Sequence, residues 1–184
     1  MIDRTVPPGF NPLNQVHIPA VEATHLNNGR NVFYLLDTKA EVFKIDLVIK
    51  AGSWYSQDYP LVPLTLKLLN EGTQSKTGKE VADIFDGYGS FIELIPGFDQ
   101  CIVSLYGLTK YFTENLELLS EIILSPSFTK RSFQSLKERE IQKVKLNLEK
   151  SSYLASVTLR ENVFGPAHPY GRRLLPQNIE SLEL

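Results

Sequence analysis

Residues 41–51 read EVFKIDLVIKA and alternate between two kinds of side chain. One set is entirely apolar: Phe43, Ile45, Leu47 and Ile49. The other set includes the charged residues Lys44 and Asp46. A period of two residues is that of a β-strand, in which successive side chains point to opposite faces. The stretch therefore predicts one long strand that packs one face on the core and ends at Gly52.

A hairpin is predicted just upstream of this strand. Residues 21–26 and 31–36 are candidate strands, separated by Asn27-Asn28-Gly29. Asn and Gly tolerate the positive φ angles of tight turns, so this tripeptide favours a reversal of the chain. Residues 1–20, rich in Pro, Asn and Gly, are expected to form an irregular arm before the domain, which we place at residues 21–184.

Downstream, helical and strand patterns alternate. Thr77 and Glu80 have the spacing of a capping box and predict a helix start. Helices are predicted over 60–71, 77–88, 112–124, 129–150 and 151–164, and strands over 90–95 and 100–108. The order predicts an α+β, two-layer domain with a mostly antiparallel sheet and helices on one face.

Composition narrows the classes of partner and compartment. The 184 residues carry a net charge of −2 with no basic stripe, which argues against a nucleic-acid partner. No apolar run approaches the roughly 18 residues of a membrane span. Residues 1–9 contain Pro7 and Pro8 and lack the apolar core of a signal peptide. The default expectation is a cytoplasmic location, with a periplasmic or organellar one left open.

A search for catalytic patterns finds no active site. There is no Gly-rich phosphate loop after a strand and no G-x-S-x-G elbow. The histidines at 17, 25 and 168 share no metal-ligand spacing with one another or with Cys101, which lies in an apolar alternating run and is expected to be a buried thiol. The acidic residues of the two long helices are expected on solvated faces: Glu114, Glu117, Glu121, Glu138, Glu140 and Glu149.

Five segments, in the same order, nevertheless resemble the pitrilysin-type (insulinase-like, M16) metallopeptidase domain. They are Leu26-Asn27-Asn28-Gly29 with the strand after it, Ile49-Lys50-Ala51-Gly52-Ser53, Leu69-Asn70-Glu71-Gly72-Thr73, the helix from Thr77 followed by Tyr88-Gly89-Ser90, and His168-Pro169-Tyr170-Gly171-Arg172. The resemblance covers roughly residues 20 to 184 and implies the LuxS/mitochondrial processing peptidase-like metallohydrolase fold. Because the domain of that family runs somewhat further than Leu184, we expect a domain cut near its end and a second, similar domain in the full-length protein.

The zinc motif of that family is replaced here. Active members carry His-x-x-Glu-His before the Gly-Thr pair, where two imidazoles bind zinc and the Glu is the general base. Pro63 and Lys67 stand at the histidine positions and Leu66 at the base position. The last ligand, a Glu on the long helix, aligns near Val144 or Lys145, where there is no acid. The resemblance thus implies a non-catalytic member that needs no zinc and is inactive by itself.

Such a domain is expected to complete the peptide chamber of a zinc-bearing partner subunit or second half-domain, as in a heterodimer. Substrate in this family adds as a strand to a sheet edge, and the matching positions are Ser90, Phe91, Ile92, Glu93, Leu94 and Ile95, with Tyr170 and Arg172 as further candidates. The alternatives are a scaffold subunit that handles no peptide, a domain that looks like a zinc peptidase by resemblance alone, and catalysis by unrelated residues.

Overall fold

The computed structural model describes residues 19–37, 39–56 and 60–184. The chain divides into two compact units between Ala40 and Glu41. The predicted start of the domain at residue 21 lies inside the first unit, and only residues 19 and 20 of the predicted arm are among those described.

The described part of the first unit is a β-hairpin, as predicted. Strand β1 (Glu22–His25) pairs antiparallel with β2 (Asn31–Tyr34). The turn between them is closed by the N–H of Gly29, which donates to the carbonyl of Leu26 at 2.9 Å. Gly29 has a φ of 77°, a conformation that glycine adopts without the steric cost of a Cβ.

The second unit contains one antiparallel sheet of three strands. Strand β3 (Val42–Ile49) is the predicted long strand, and β4 (Phe91–Ile95) and β5 (Cys101–Leu108) form the predicted second pair. The strand order is β3-β5-β4, which puts β5 in the centre. Among the described residues of the second unit, β4 therefore pairs with β5 along one edge, and its other edge has no strand partner.

Helices cover one face of this sheet, which confirms the two-layer α+β arrangement. The helices are α1 (Leu61–Leu68), α2 (Gly78–Tyr88), α3 (Phe112–Leu124), α4 (Lys130–Leu148), α5 (Ser151–Phe164) and α6 (Pro176–Glu180). A 3₁₀ turn, Leu69–Glu71, extends α1 to the predicted end of that helix. The sequence analysis missed α6, because five residues starting at a proline are too few to show a helical period.

The main core lies between the sheet and helices α1 to α3. Its buried members are Leu66, Val81, Phe85, Cys101, Val103, Leu105, Leu118, Leu119 and Ile122. Cys101 is thus the buried thiol that its alternating context predicted. A second core cluster joins α1, α4 and the chain end through Leu64, Val144, Ile179 and Leu182. This second cluster holds α4 beside α1, the helix that contains Pro63, Leu66 and Lys67.

Helix starts follow the predicted caps. The Oγ1 of Thr77 accepts from the N–H of Glu80, whose carboxylate accepts in turn from the N–H of Thr77 at 2.7 Å. The Oγ1 of Thr129 accepts from the N–H of Ser132 at 3.0 Å. Each cap satisfies backbone donors that have no partner within the helix. None of the described helices has the length and apolar character that crossing a bilayer requires.

Candidate functional site

Helix α1 carries the three residues that the resemblance aligns with the zinc motif, and its side chains pack into the protein interior. Pro63 is its third residue, within the first turn, where backbone N–H groups need no partner in the helix and a proline costs little. Leu66, at the general-base position, is 6% exposed and belongs to the main core. A leucine held there by its neighbours neither accepts a proton nor polarises a water molecule.

Lys67, at the second histidine position, forms an ion pair across to α4. Its Nζ lies 2.5 Å from Oε2 of Glu140, and the two side chains are only 26% and 17% exposed. A second pair joins α4 to the 3₁₀ turn after α1, between Arg139 and Glu71 at 2.5 Å, with Arg139 more than half exposed. An ammonium group thus stands beside a carboxylate at a position that the resemblance aligns with a zinc-binding histidine.

The two alternatives for the last ligand position lie in different environments. Val144 is 4% exposed and shares the second core cluster with Leu64 of α1, whereas Lys145 is exposed. Val144 also lies four residues, about one helical turn, after Glu140 on the same helix. The α4 face that meets α1 therefore carries Glu140 and Val144, and of the two aligned positions only Val144 faces this helix.

These residues do not fit a zinc ion. Proline has no side-chain donor atom, leucine has none, and a lysine already paired with a carboxylate repels a cation. Across residues 19–37, 39–56 and 60–184, no three His, Cys, Asp or Glu side chains come together as a possible metal site. We derive no catalytic step through a metal at this position.

Two acidic residues, Glu140 and Glu121, were expected on solvated helix faces, but both are largely covered and hydrogen-bonded to other side chains. For these two residues the expectation is wrong. Glu140 is held by Lys67, and Glu121 on α3 is 27% exposed and accepts three hydrogen bonds. The period of a helix identifies its polar face, but a neighbouring helix or loop decides whether a charge on that face reaches water.

Glu121 fixes the turn that follows the motif helix. Its carboxylate accepts from Lys76 Nζ, Ser75 Oγ and Thr73 Oγ1, each at 2.5 Å. Thr73 is buried, and Gly72 before it has a φ of 133°, with no room for a Cβ beside the carbonyl of Lys76. The Gly-Thr pair of the resemblance is therefore a structural turn, anchored on α3.

Hydrogen bonds from Lys76, Ser75 and Thr73 lower the pKa of Glu121 to about 2 from its usual 4.5. A lowered folded-state pKa means that the ionised carboxylate stabilises the fold above pH 4.5, and that this contribution is lost as the pH falls towards 2. We expect the melting temperature of the wild type to exceed that of Glu121→Gln near pH 6 and the difference to shrink between pH 4.5 and 2. Thermal unfolding across this range measures it. Glu117→Gln, exposed on the same helix, is the control and should show no such convergence.

The predicted peptide edge is β4 itself. Phe91, Glu93 and Ile95 are exposed, while Ile92 and Leu94 are half-buried and pack against the main core. Ser90 lies before the strand, is 4% exposed, and donates its hydroxyl to Oδ1 of Asn115 at 2.6 Å. The side chains of Phe91, Glu93 and Ile95 are thus accessible, whereas the hydroxyl of Ser90 bonds within the interior.

The other two predicted residues lie near the turn that follows β4. Tyr170 donates its hydroxyl to Oδ1 of Asp99 at 2.6 Å, and this bond raises the pKa of Tyr170. Its ring packs on Phe98 and Trp54, with centroids 5.0 and 5.6 Å away. Arg172 donates through Nη1 to the carbonyl of Ser56 at 3.2 Å. The resemblance string 168–172 therefore packs against the β4–β5 turn.

The Gly52-Ser53 pair of the resemblance meets the same turn. The N–H groups of Ser53 and Trp54 donate to the carbonyls of Gly97 and Phe98 at 3.1 and 2.8 Å. A Cβ on Gly52 would lie 1.9 Å from the carbonyl oxygen of Phe98, so only glycine allows this close approach. The resembling segments that contain Gly52-Ser53, Gly72-Thr73 and Tyr170 thus hold the turns that follow β4 and α1.

Solved structures similar to this chain confirm the resemblance found in the sequence. The inactive domain of an M16 peptidase from Pseudomonas fluorescens matches at a TM-score of 0.81 and 25% identity, over 89% of this chain and 41% of that chain. A protease from Helicobacter pylori matches at 0.78 and 19% identity, over 91% and 42%. The periplasmic protease PqqL from Escherichia coli matches at 0.68 and 16% identity, over 95% and 21%.

The chain therefore has the fold of an M16 peptidase domain, and the similarity to an inactive domain agrees with the replaced motif. The chain spans about two fifths of the length of the first two structures and about one fifth of the third. No family model and no curated protein matches the sequence.

Proposed function

We propose that this chain is a non-catalytic M16-like domain that completes the peptide chamber of a zinc-bearing partner, either a separate subunit or a second half-domain. The observation that carries the proposal is the ion pair between Lys67 and Glu140, because the resemblance aligns Lys67 with a histidine that binds zinc in active members. The similarity to an inactive M16 domain supports it. Bond cleavage is assigned to the partner, and this chain helps to hold the substrate.

The contribution proposed for this chain is strand addition on β4. The strand is five residues long, lies at the edge of the β3-β5-β4 sheet and contains no proline. An edge strand presents backbone N–H and C=O groups to an incoming extended segment. Tyr170 and Arg172 are proposed to act by positioning the turn at the end of β4, through Phe98, Asp99 and the 52–56 segment.

Amide hydrogen exchange tests this role. A mixture of extended peptides is added to the protein, and we expect slower exchange of amides in β4 than in the unbound protein, because an added strand bonds their N–H groups. Edge strand β3, eight residues long, is the internal control. Unchanged exchange in β4, or protection confined to β3, would contradict the assignment of the peptide edge.

A scaffold role without peptide handling is the second candidate, and an exposed apolar surface on α5 favours it. Leu159, Val163 and Phe164 are 65%, 64% and 45% exposed, and Trp54 is 45% exposed. Large exposed apolar side chains are typical of surfaces that another chain covers. Under this alternative the exchange experiment leaves β4 unchanged, and a partner instead protects α5.

A further inference from the structure

The exposed face of β4 has an ordered chemical pattern. Its residues read FIELI, and the three side chains on the face opposite the helices are Phe91, Glu93 and Ile95. Phe91 is 56% exposed and Ile95 is 39% exposed. An acidic group thus stands at the centre of the strand, with an apolar side chain two residues to either side.

The carboxylate of Glu93 has no cation beside it in the described part of the chain. Its register partner on β5 is Ser104, whose hydroxyl donates to Asp46 instead, at 2.6 Å. Lys44, on the same sheet face, is bound to Asp46 at 2.8 Å. The nearest polar contact of Glu93 is the hydroxyl of Tyr106, at 3.4 Å from Oε2. Its charge is therefore available to an incoming group.

A second copy of β4 does not supply the missing cation. Glu93 is the middle residue of the strand, so an antiparallel pair of two β4 strands in full register would put one Glu93 opposite the other. Like charges in directly opposite positions destabilise a strand pair, whereas opposite charges and apolar pairs stabilise it. Antiparallel self-pairing in full register is therefore unfavourable for this strand.

We infer that the extended segment that adds to β4 carries a lysine or arginine opposite Glu93, with apolar or aromatic side chains two residues before and after it. The inference rests on the proposed strand addition and names the substrate class for that same edge. The apolar side chains would lie opposite Phe91 and Ile95, and the residues between them would lie beside Ile92 and Leu94. Cross-strand neighbours of this kind lie about 4.5–5.5 Å apart between Cβ atoms, close enough for direct contact.

A charge-reversal cycle tests this specificity. Two blocked peptides of nine residues are compared, identical except for Lys or Glu at the central position, with Phe and Ile two residues away on either side. We expect wild type to bind the lysine peptide about three- to tenfold more tightly than the glutamate peptide. Glu93→Lys is expected to reverse this order. Added salt is expected to reduce both preferences, because the pair is exposed to solvent.

The control variant is Glu117→Lys, which makes the same charge change at an exposed position of α3 and should keep the wild-type preference. Circular dichroism and melting temperature establish that both variants fold. Equal binding of the two peptides to wild type overturns the inferred specificity and leaves strand addition standing. Binding of neither peptide, together with unchanged amide exchange in β4, overturns the proposed function, and the inference falls with it.

Discussion

The variant carrying Pro63→His, Leu66→Glu and Lys67→His is expected to remain without a tight zinc site, although its motif helix then reads as that of an active peptidase. Two imidazoles on one helix leave a zinc ion without the third protein ligand that the resemblance assigns near position 144, which is a valine. Adding Val144→Glu is expected to raise zinc affinity about a hundredfold or more, because position 144 lies on the α4 face that packs on α1. Elemental analysis and zinc titration measure both variants.

Two controls distinguish the α4 residues. Lys145→Glu replaces Val144→Glu in a matched four-substitution variant and is expected to bind weakly, because that side chain is exposed. Glu140→Gln in the three-substitution variant removes the acid that faced Lys67. Tight zinc binding or robust zinc-dependent peptide cleavage by three substitutions alone would contradict the placement of the last ligand at 144, and loss of that binding with Glu140→Gln would assign it to Glu140.

Lys67→Met is expected to destabilise the fold by about 1–3 kcal/mol. The substitution leaves the Glu140 carboxylate, 17% exposed, without its cation. Breaking a fully buried pair on one side costs about 3–5 kcal/mol, and the remaining solvent access of both side chains lowers that figure. Chemical denaturation at neutral pH measures the change in the free energy of unfolding.

The double variant Lys67→Met with Glu140→Leu is expected to recover most of this loss, since no uncompensated charge remains between the helices. Arg139→Met is the matched control, because it breaks the neighbouring pair between α4 and the 3₁₀ turn after α1. The arginine of that pair is more than half exposed, so the loss should be under about 1 kcal/mol. Equal losses for Lys67→Met and Arg139→Met would contradict the special role of the Lys67 pair.

The strands and most helices were predictable because their signals are local. The alternation in residues 41–51 depends only on neighbours two positions apart, and the predicted strand ends within two residues of β3 (Val42–Ile49). The spacing of three residues between Thr77 and Glu80 predicted the capping box that the structure shows. The missed helix α6 gave no such signal, because its stability comes from Ile179 packing into the second core cluster.

The prediction that residues 63, 66 and 67 bind no zinc depends on residue type alone, since proline and leucine have no side-chain donor atom and a charged lysine repels a cation. The ion-pair partner of Lys67 could not be predicted from the sequence. Lys67 and Glu140 lie 73 positions apart, and the sequence analysis assigned Glu140 to a solvated face. Only the packing of α4 on α1 brings the two charges within 2.5 Å.

Local chemistry along the chain was sufficient to establish the α+β order, the hairpin turn and the helix caps, because each depends on residue type and on spacing of a few positions. The tertiary fold decided which residues meet across elements: Lys67 with Glu140, and Thr73 with Glu121. It also decided that Glu93 is exposed on an edge strand. These depend on the register between distant segments, which is set by how the whole apolar core closes and not by any one stretch.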